Sequence, residues 1–371
     1  MRQVAIMFAN KIQLLKFMDK VIGKPLSRLL PSSTRTEIRH HINTLLIIRP
    51  GGIGDAVLLA PAITAFRRAH PECRIDVLAE QRNRQIFQLV PCVDTIYGYD
   101  SPRDLLKAIS KRYDAVVDTE QWHYLSACLA RLVRAGARIG YATNDRKKLF
   151  SHAIPYSQDH HEIKNFFCLF EQMDSTLPHH DASPFLQLPK GEFVNAEQQT
   201  GVHLPESYVV IFPGASIKER RWDVNNFREV AAYLCGKGLP VIVIGGKDCI
   251  QDGNAIVKHL DGLNLAGKTS LTETAAIIDR AALLISGDSG ILHIGAGMGT
   301  PTISFFGPGI ERKWAPRGPR HIVINKHLSC SPCTRFGYTP RCPILARCMS
   351  DITSDEVIAA IEKSEFLRIS H

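Results

Sequence analysis

Short β-rich apolar runs alternate with runs of helical period along this chain, and the alternation is gone through twice, which limits the fold more than any other feature. From residue 44 onward, "TLLIIR" leads into a helix beginning near Asp55, "RIDVLAE" into one over 82–89, "VDTIYGY" into one over 102–111 and "YDAVVDT" into one over 124–134. Largely apolar strands set between helices predict a parallel sheet covered on both faces. A polar stretch rich in Pro, His and Asp breaks the rhythm between 175 and 207, as a domain boundary does. The rhythm then restarts: "YVVIFPG", "LPVIVIGG", "LNLAG", "ALLISGDSG" and "PTISFFGP" alternate with helices over 223–235, 248–259, 272–280 and 292–298. The expectation is an α/β chain of two doubly wound domains, a division that 371 residues readily allow. Its segments are 1–42, a basic amphipathic helical stretch; 43–177, the first Rossmann-like domain; 178–206, a linker; 207–329, the second; and 330–371, a Cys-rich loop and C-terminal helix. Ligands of such sheets lie at the carboxyl ends of the strands.

Charge is concentrated at one end. The net charge is +9, and residues 1–40 contribute +6 of it: eight Lys/Arg (Arg2, Lys11, Lys16, Lys20, Lys24, Arg28, Arg35, Arg39) against Asp19 and Glu37. Apolar residues from Ile6 to Leu30 are spaced among those lysines as in a basic amphipathic helix. Lysines interrupt the apolar run too often for a transmembrane span, and no small-residue cleavage site follows an unbroken apolar core. Two readings stay open, a helix lying in an anionic membrane surface and a helix docked on the protein's own body. Nucleic acid is not an expected partner, because the cations are not interleaved with stacking aromatics.

Three loops carry the chemistry. "IIRPGGIGDAVLLAPAITAF" (47–66) passes from a strand through glycines, Gly52 and Gly54 among them, into a helix with Asp55 at the turn. It lacks the third glycine of G-x-G-x-x-G and the Lys-Ser/Thr of a P-loop, so neither dinucleotide nor NTP binding is well supported. Asp55 reads as a general base for an attacking hydroxyl or as a plain helix cap. "ISGDSGILHIGAGMGTPTISFFGP" (285–308) ends a strand in a Gly-Asp-Ser-Gly turn before a helix. Ser289, Gly290 and their amides suit a diphosphate at that helix N-terminus, with Asp288 accepting from sugar hydroxyls or else serving as the cap. In "FPGASIKERRWDVNNF" (212–227), Lys218, Arg220 and Arg221 crowd a loop before a helix capped by Asp223, where cations neutralise a leaving diphosphate as a metal ion otherwise does. Trp222 reads as a packing residue.

These stretches, with "DAVVDTEQ" and the terminal "CSPC…CP…CMSDIT", stand in the order seen in glycosyltransferase family 9, the lipopolysaccharide heptosyltransferases, which the chain resembles from about residue 44 to 363. The resemblance implies a GT-B fold of two facing Rossmann-like domains with a central cleft. It implies an inverting, metal-independent transfer of a heptose or related sugar from an ADP-sugar to a lipopolysaccharide core or related glycolipid acceptor. Carried over by position, the catalytic base falls on Asp55, and the diphosphate-binding lysine of family members corresponds to Arg220, a departure that favours a bidentate clamp. The donor site falls on Asp288, Ser289, Gly290 and His293, with Gly214, Lys218, Gly246 and Asp248 beside it. Acceptor contacts fall on Gly52, Gly54, Glu120 and Gln121. The implied place of work is the cytoplasm, peripheral on the inner face of the bacterial inner membrane. Two competing readings are a non-catalytic sugar-nucleotide or glycolipid-binding relative, and an NAD-dependent enzyme with Glu80 as ribose partner.

Ten cysteines are present, six of them scattered as suits reduced thiols in a cytoplasmic protein. Cys330, Cys333, Cys342 and Cys348 form C-x2-C-x8-C-x5-C, which offers four thiolates for a structural zinc, although the second pair lacks the usual spacing; free thiols or labile disulfides are the alternative.

Overall fold

A computed structural model describes residues 17–38, 41–179, 183–335 and 338–367. The chain separates into two compact units, Met1–Gly52 with Leu59–His180, and Ile53–Leu58 with Asp181–His371.

In the first unit, strands β1 (Thr44–Arg49), β2 (Arg74–Ala79), β3 (Thr95–Gly98), β4 (Arg112–Asp118), β5 (Arg134–Tyr141) and β6 (His152–Ile154) form one sheet in the order β3-β2-β1-β4-β5-β6, parallel throughout. The helices are α1 (Lys24–Leu29), α2 (Ile53–Ala69, whose first turns, Ile53–Leu58, belong to the second unit), α3 (Pro102–Ser110), α4 (Tyr124–Leu132) and α5 (Glu162–Phe170). The central strand dictates the layering: Leu45, Leu46, Ile47 and Ile48 are apolar on both faces and fully buried, so helices must cover both sides.

The second unit repeats this plan. Strands β7 (Val209–Phe212), β8 (Val241–Val243), β9 (Gly262–Asn264), β10 (Leu283–Gly287), β11 (Thr302–Phe306) and β12 (His321–Asn325) lie in the order β12-β11-β10-β7-β8-β9, again all parallel. Its helices are α6 (Glu192–Thr200), α7 (Val224–Gly236), α8 (Ile250–Val257), α9 (Leu271–Asp279), α10 (Gly290–Met298), α11 (Glu311–Trp314), α12 (Arg347–Ser350) and α13 (Ser354–Lys363). Counted from β7, the winding is identical to that of the first sheet. Strand order reverses between β1 and β4 and between β7 and β10, where loops at the carboxyl ends diverge and leave room for a ligand.

Several elements differ from the sequence reading. Residues 82–89 make only a 3-10 turn over Arg84–Leu89. The helix expected to reach 134 stops at Leu132, because Arg134 already opens β5. Strands β5, β6 and β12 were not foreseen: β5 carries two glycines and two arginines, which blur its alternation, and β6 is three residues long. The stretch 178–206 holds helix α6, bounded by left-handed Gly191 and Gly201 and packed on α9. Residues after 330 are not a separate appendage. Cys348, Met349, Ile352, Val357 and Ile361 share a core with Val209, Ile211, Phe227 and Phe305, and the Trp222 indole N–H donates to the Ile352 carbonyl at 2.9 Å.

Much of the stretch expected to form a basic N-terminal helix, residues 1–16, lies outside the described residues; from Phe17 onward the segment docks on the first unit. Among the described residues no helix is long and apolar enough to cross a membrane.

Candidate active site

The loop that ends β1 is set by four buried charges. Arg49, only 1% exposed, donates from Nε to the Pro50 carbonyl (2.7 Å), from Nη1 to the Thr119 carbonyl (2.8 Å) and from Nη2 to Glu120 Oε2 (3.3 Å). Arg146 is fully buried and donates to the Asp118 carboxylate and the Glu120 carbonyl. Glu120 Oε1 in turn accepts the backbone N–H groups of Gln121 (3.0 Å), Trp122 (3.1 Å) and His123 (3.5 Å). Burial pushes the Glu120 carboxyl up, yet Arg49, His123 and Arg146 prevail and hold it below the ordinary glutamate range. For Asp118 the balance goes the other way, with burial raising it against the pull of Arg146. Two acids and two guanidiniums thus compensate one another under the loop. Gly51 lies directly over them at φ +106°, where a β carbon would stand 2.9 Å from Arg49 Nη2, so this position admits only glycine.

From that platform helix α2 starts at Ile53 with Gly52 as its N-cap and no side-chain capping bond. The cap reading of Asp55 therefore falls. Asp55 is the third helical residue, half-buried at the carboxyl end of β1, where the helix N-terminus favours a carboxylate. An added β carbon at Gly52 would meet nothing within 4 Å. Glu120, expected to face an acceptor, has both oxygens engaged in the network, Oε2 with Arg49 and Oε1 with the backbone N–H groups that follow it. Gln121 donates from Nε2 to Glu162 Oε1 (2.7 Å), and buried Glu162 also accepts from the Tyr156 hydroxyl (2.9 Å) and Asn165 Nδ2 (3.2 Å).

The second unit brings together the loops after β7, β10 and β11. At the end of β10, Ser289 rather than Asp288 caps helix α10: its Oγ accepts the Leu292 N–H at 3.2 Å and meets Ser286 Oγ at 2.9 Å. The Asp288 side chain turns instead to Arg220, with Oδ2 2.8 Å from Nη1 in an ion pair that is 5% and 13% exposed. Burial raises the Asp288 carboxyl above its ordinary range, against the pull of Arg220. Arg220 also donates from Nη2 to Thr334 Oγ1 (3.2 Å) and lies 5.8 Å from the Trp314 ring centre. Its buried Nε and Asp288 Oδ2 complete no hydrogen bond, so the pair is close in distance but misaligned for bonding. Buried polar atoms left in this state fit a site shaped to receive further polar groups.

Around this pair, Lys218 is exposed at the head of a 3-10 turn (Lys218–Arg220) and makes no ion pair among the described residues. Arg221 is drawn away to Asp248 (3.1 Å), which stands with Gly246 in the loop after β8. Gly214 is buried where a β carbon would press on Cys249 Sγ at 2.6 Å. Asp223 caps α7 as expected, accepting the Asn225 N–H at 2.7 Å. His293, 4% exposed on α10, lies within the second unit against Gly54, whose β carbon would stand 2.7 Å from the ring. Gly290 is packed equally closely on Ile53.

Comparison with known proteins decides the lineage: the profile of glycosyltransferase family 9 (heptosyltransferase) matches residues 103–339. The chain belongs to this family. It is 28% identical over 288 residues to lipopolysaccharide heptosyltransferase 3 of Escherichia coli, covering 71% of this chain and 83% of that protein. To lipopolysaccharide heptosyltransferase 1 of Pseudomonas aeruginosa it is 22% identical over 315 residues, 78% and 86% of the two chains. Among solved structures, E. coli ADP-heptose lipopolysaccharide heptosyltransferase II superposes with a TM-score of 0.72 at 21% identity, covering 86% of this chain and 97% of that one. E. coli heptosyltransferase WaaC with ADP gives 0.69 at 19%, covering 86% and 99%. The two units are thus the Rossmann-like pair of a GT-B glycosyltransferase, and the chain is an enzyme of family 9. The nicotinamide reading is set aside, and Glu80, its ribose partner, pairs with Arg82 at 2.6 Å.

The zinc alternative for the four cysteines finds no support. Among the described residues no group of three or more His, Cys, Asp or Glu is arranged to hold a metal ion. Cys330 is exposed, whereas Cys348 is buried under Gly307 and its thiol is pushed up to about 11 by burial and then by its cysteine neighbours. The motif instead supplies the loop whose Thr334 braces Arg220, its N–H donating to the Pro308 carbonyl at 2.9 Å. Arg49, Arg146 and Asp118 escaped the sequence reading. A charged residue closing an apolar strand was the available signal for Arg49 and Asp118, whereas Arg146 lies in a 3-10 turn.

Proposed function

We propose that this chain moves a heptose or related sugar from an ADP-sugar to a lipopolysaccharide core or related glycolipid acceptor, with inversion and without a metal ion. The observation that carries this reading is the buried, misaligned Arg220–Asp288 pair at the carboxyl ends of β7 and β10, beside the N-terminus of α10. Relatives named as lipopolysaccharide heptosyltransferases, and solved structures of WaaC with ADP and with ADP-2-deoxy-2-fluoro heptose, support the choice of donor and acceptor.

In this mechanism the acceptor hydroxyl oxygen attacks the anomeric carbon while the bond from that carbon to the diphosphate oxygen breaks. Asp55 takes the hydroxyl proton. The bond's electron pair leaves with ADP, whose charge is met by Arg220, Lys218 and the amides of Ser289 and Gly290. Asp288 accepts from sugar hydroxyls, with His293 nearby on the same helix; Gly214, Gly246 and Asp248 line the nucleotide side. Gly52, Gly54 and Gln121 serve the acceptor. The enzyme works at the cytoplasmic face of the inner membrane, where a lipid-linked acceptor is presented.

Asp55→Asn should leave ADP binding intact and lower transfer by roughly 10²–10⁴-fold, the usual contribution of a general base. Retained turnover would remove Asp55 from that role. Chelator-treated enzyme should keep full activity; activity restored only by a divalent cation would refute the metal-independent step.

A further inference from the structure

Helix α1 and the turns before it direct much of their apolar surface away from the fold. The helical stretch from Phe17 to Leu29 contains a wide π-turn at Asp19–Gly23, in which the Lys24 N–H donates to the Asp19 carbonyl. Its inward row is small and polar. Asp19 accepts the Leu125 N–H at 2.7 Å and stands 3.3 Å from His123 Nδ1. Gly23 is pressed on Leu125, where a β carbon would come within 2.9 Å of Cγ, and its carbonyl faces Cys128 Sγ. Ser27 is fully buried, and Leu26 and Leu30 tuck into the edge of the core.

The outward row is the apolar one: Val21 is 51% exposed, Ile22 47% and Leu29 82%. A helix serving only its own fold would turn these inward. Cations stand among them at a helical spacing of four, Lys20, Lys24 and Arg28, all exposed. Lys20 and Lys24 make no ion pair among the described residues, and Arg28 reaches only 3.9 Å from Asp145 with both side chains more than half exposed. The stretch's one acid, Asp19, is spent on the inward side. An outward face with apolar groups, three cations and no acid matches the apolar boundary and negative headgroups of an anionic bilayer, with the lysine stems lying along the apolar surface.

We infer that this outward face, Val21, Ile22 and Leu29 with Lys20, Lys24 and Arg28, is the surface by which the protein seats on an anionic lipid bilayer. The inference builds on the membrane location proposed above and assigns it to a fixed face of the first unit.

The test uses the full chain and vesicles free of lipopolysaccharide, so that the active site is not engaged. Phosphatidylcholine vesicles with and without phosphatidylglycerol are sedimented with wild type, with Lys20→Gln/Lys24→Gln and with Val21→Ser/Ile22→Ser. Wild type should bind only the anionic vesicles, and less at high salt. Loss of the two cations should weaken binding by roughly 30-fold, and loss of the two apolar side chains by about tenfold. Transfer to a soluble, delipidated acceptor, read on the same preparations, should be unchanged, which separates this inference from the catalytic proposal. Wild type left in the supernatant, or both variants binding like wild type, would overturn it. So would a dimer that the variants dissociate, since a second copy would then be the occupant.

Discussion

Replacing Arg220 by Ala should remove most of the affinity for ADP and little of the fold. The guanidinium carries five N–H donors. One nitrogen faces Asp288 at 2.8 Å, another donates to Thr334, and Nε completes no hydrogen bond. A diphosphate arriving there gains two charge-assisted hydrogen bonds, each worth about 1.5–3 kcal/mol, so Arg220→Ala should weaken ADP by roughly 10²–10⁴-fold. Arg220→Lys keeps the charge but not the fork, and should recover about half of that free energy. The cost to stability is smaller. Asp288 would lose its partner at 5% exposure, but burial already raises its carboxyl, so it takes up a proton and the penalty stays at about 1–3 kcal/mol. Asp288→Asn gives the decisive contrast. It removes the carboxylate that competes with phosphate for Arg220, so ADP should bind as well as before or up to about tenfold tighter, while sugar transfer falls. Calorimetric titration with ADP, together with thermal melting, measures all three variants. If Arg220→Ala leaves ADP affinity unchanged, or if Asp288→Asn weakens ADP as much as Arg220→Ala does, the pair is merely structural and the reasoning fails.

Other outcomes follow from the same contacts. A β carbon on Gly309 would overlap Asp288 Oδ2, so Gly309→Ala should displace the carboxylate and slow transfer by roughly 10–100-fold at a stability cost of about 1–3 kcal/mol; unaltered kinetics would argue against Asp288 in the site. Arg146→Ala strands fully buried Asp118 and should cost about 3–5 kcal/mol in denaturant unfolding, a value below about 1 kcal/mol showing that the network does not hold the loop. His321 is pushed down from 6.5 to about 4, first by burial and then by Arg320. Between those values the unfolded chain binds the proton and the folded one does not, so stability falls as pH drops through that window, by about 3 kcal/mol in total. Denaturation midpoints of wild type and His321→Gln across that range should converge toward low pH.

What was legible in the sequence is what depends on neighbours along the chain. Apolar periodicity marked nine strands and placed the loops after β1, β7 and β10, because burial on both faces of a strand leaves a local trace. Asp223 as a cap and Trp222 as a packing residue were equally local, the first fixed two residues away and the second by its size. The order of the motifs sufficed to indicate the family.

Tertiary structure decided whatever depends on closure in space. Asp55 and Asp288 each read equally well as helix caps, and only the fold shows Gly52 and Ser289 in those places, with Asp288 turned to a guanidinium on a distant loop. The same holds for Glu120, which meets Arg49 across two strands, and for the four cysteines, whose spacing could not say that one would be buried and another exposed. The direction of the N-terminal helix was open for a like reason. Its amphipathic period was plain, but which side docks depends on whether the surface beneath accepts Leu and Val or Asp, Gly and Ser. Hydrophobic patterning is written over a few residues, whereas charge pairing and docking are settled by partners that folding brings together.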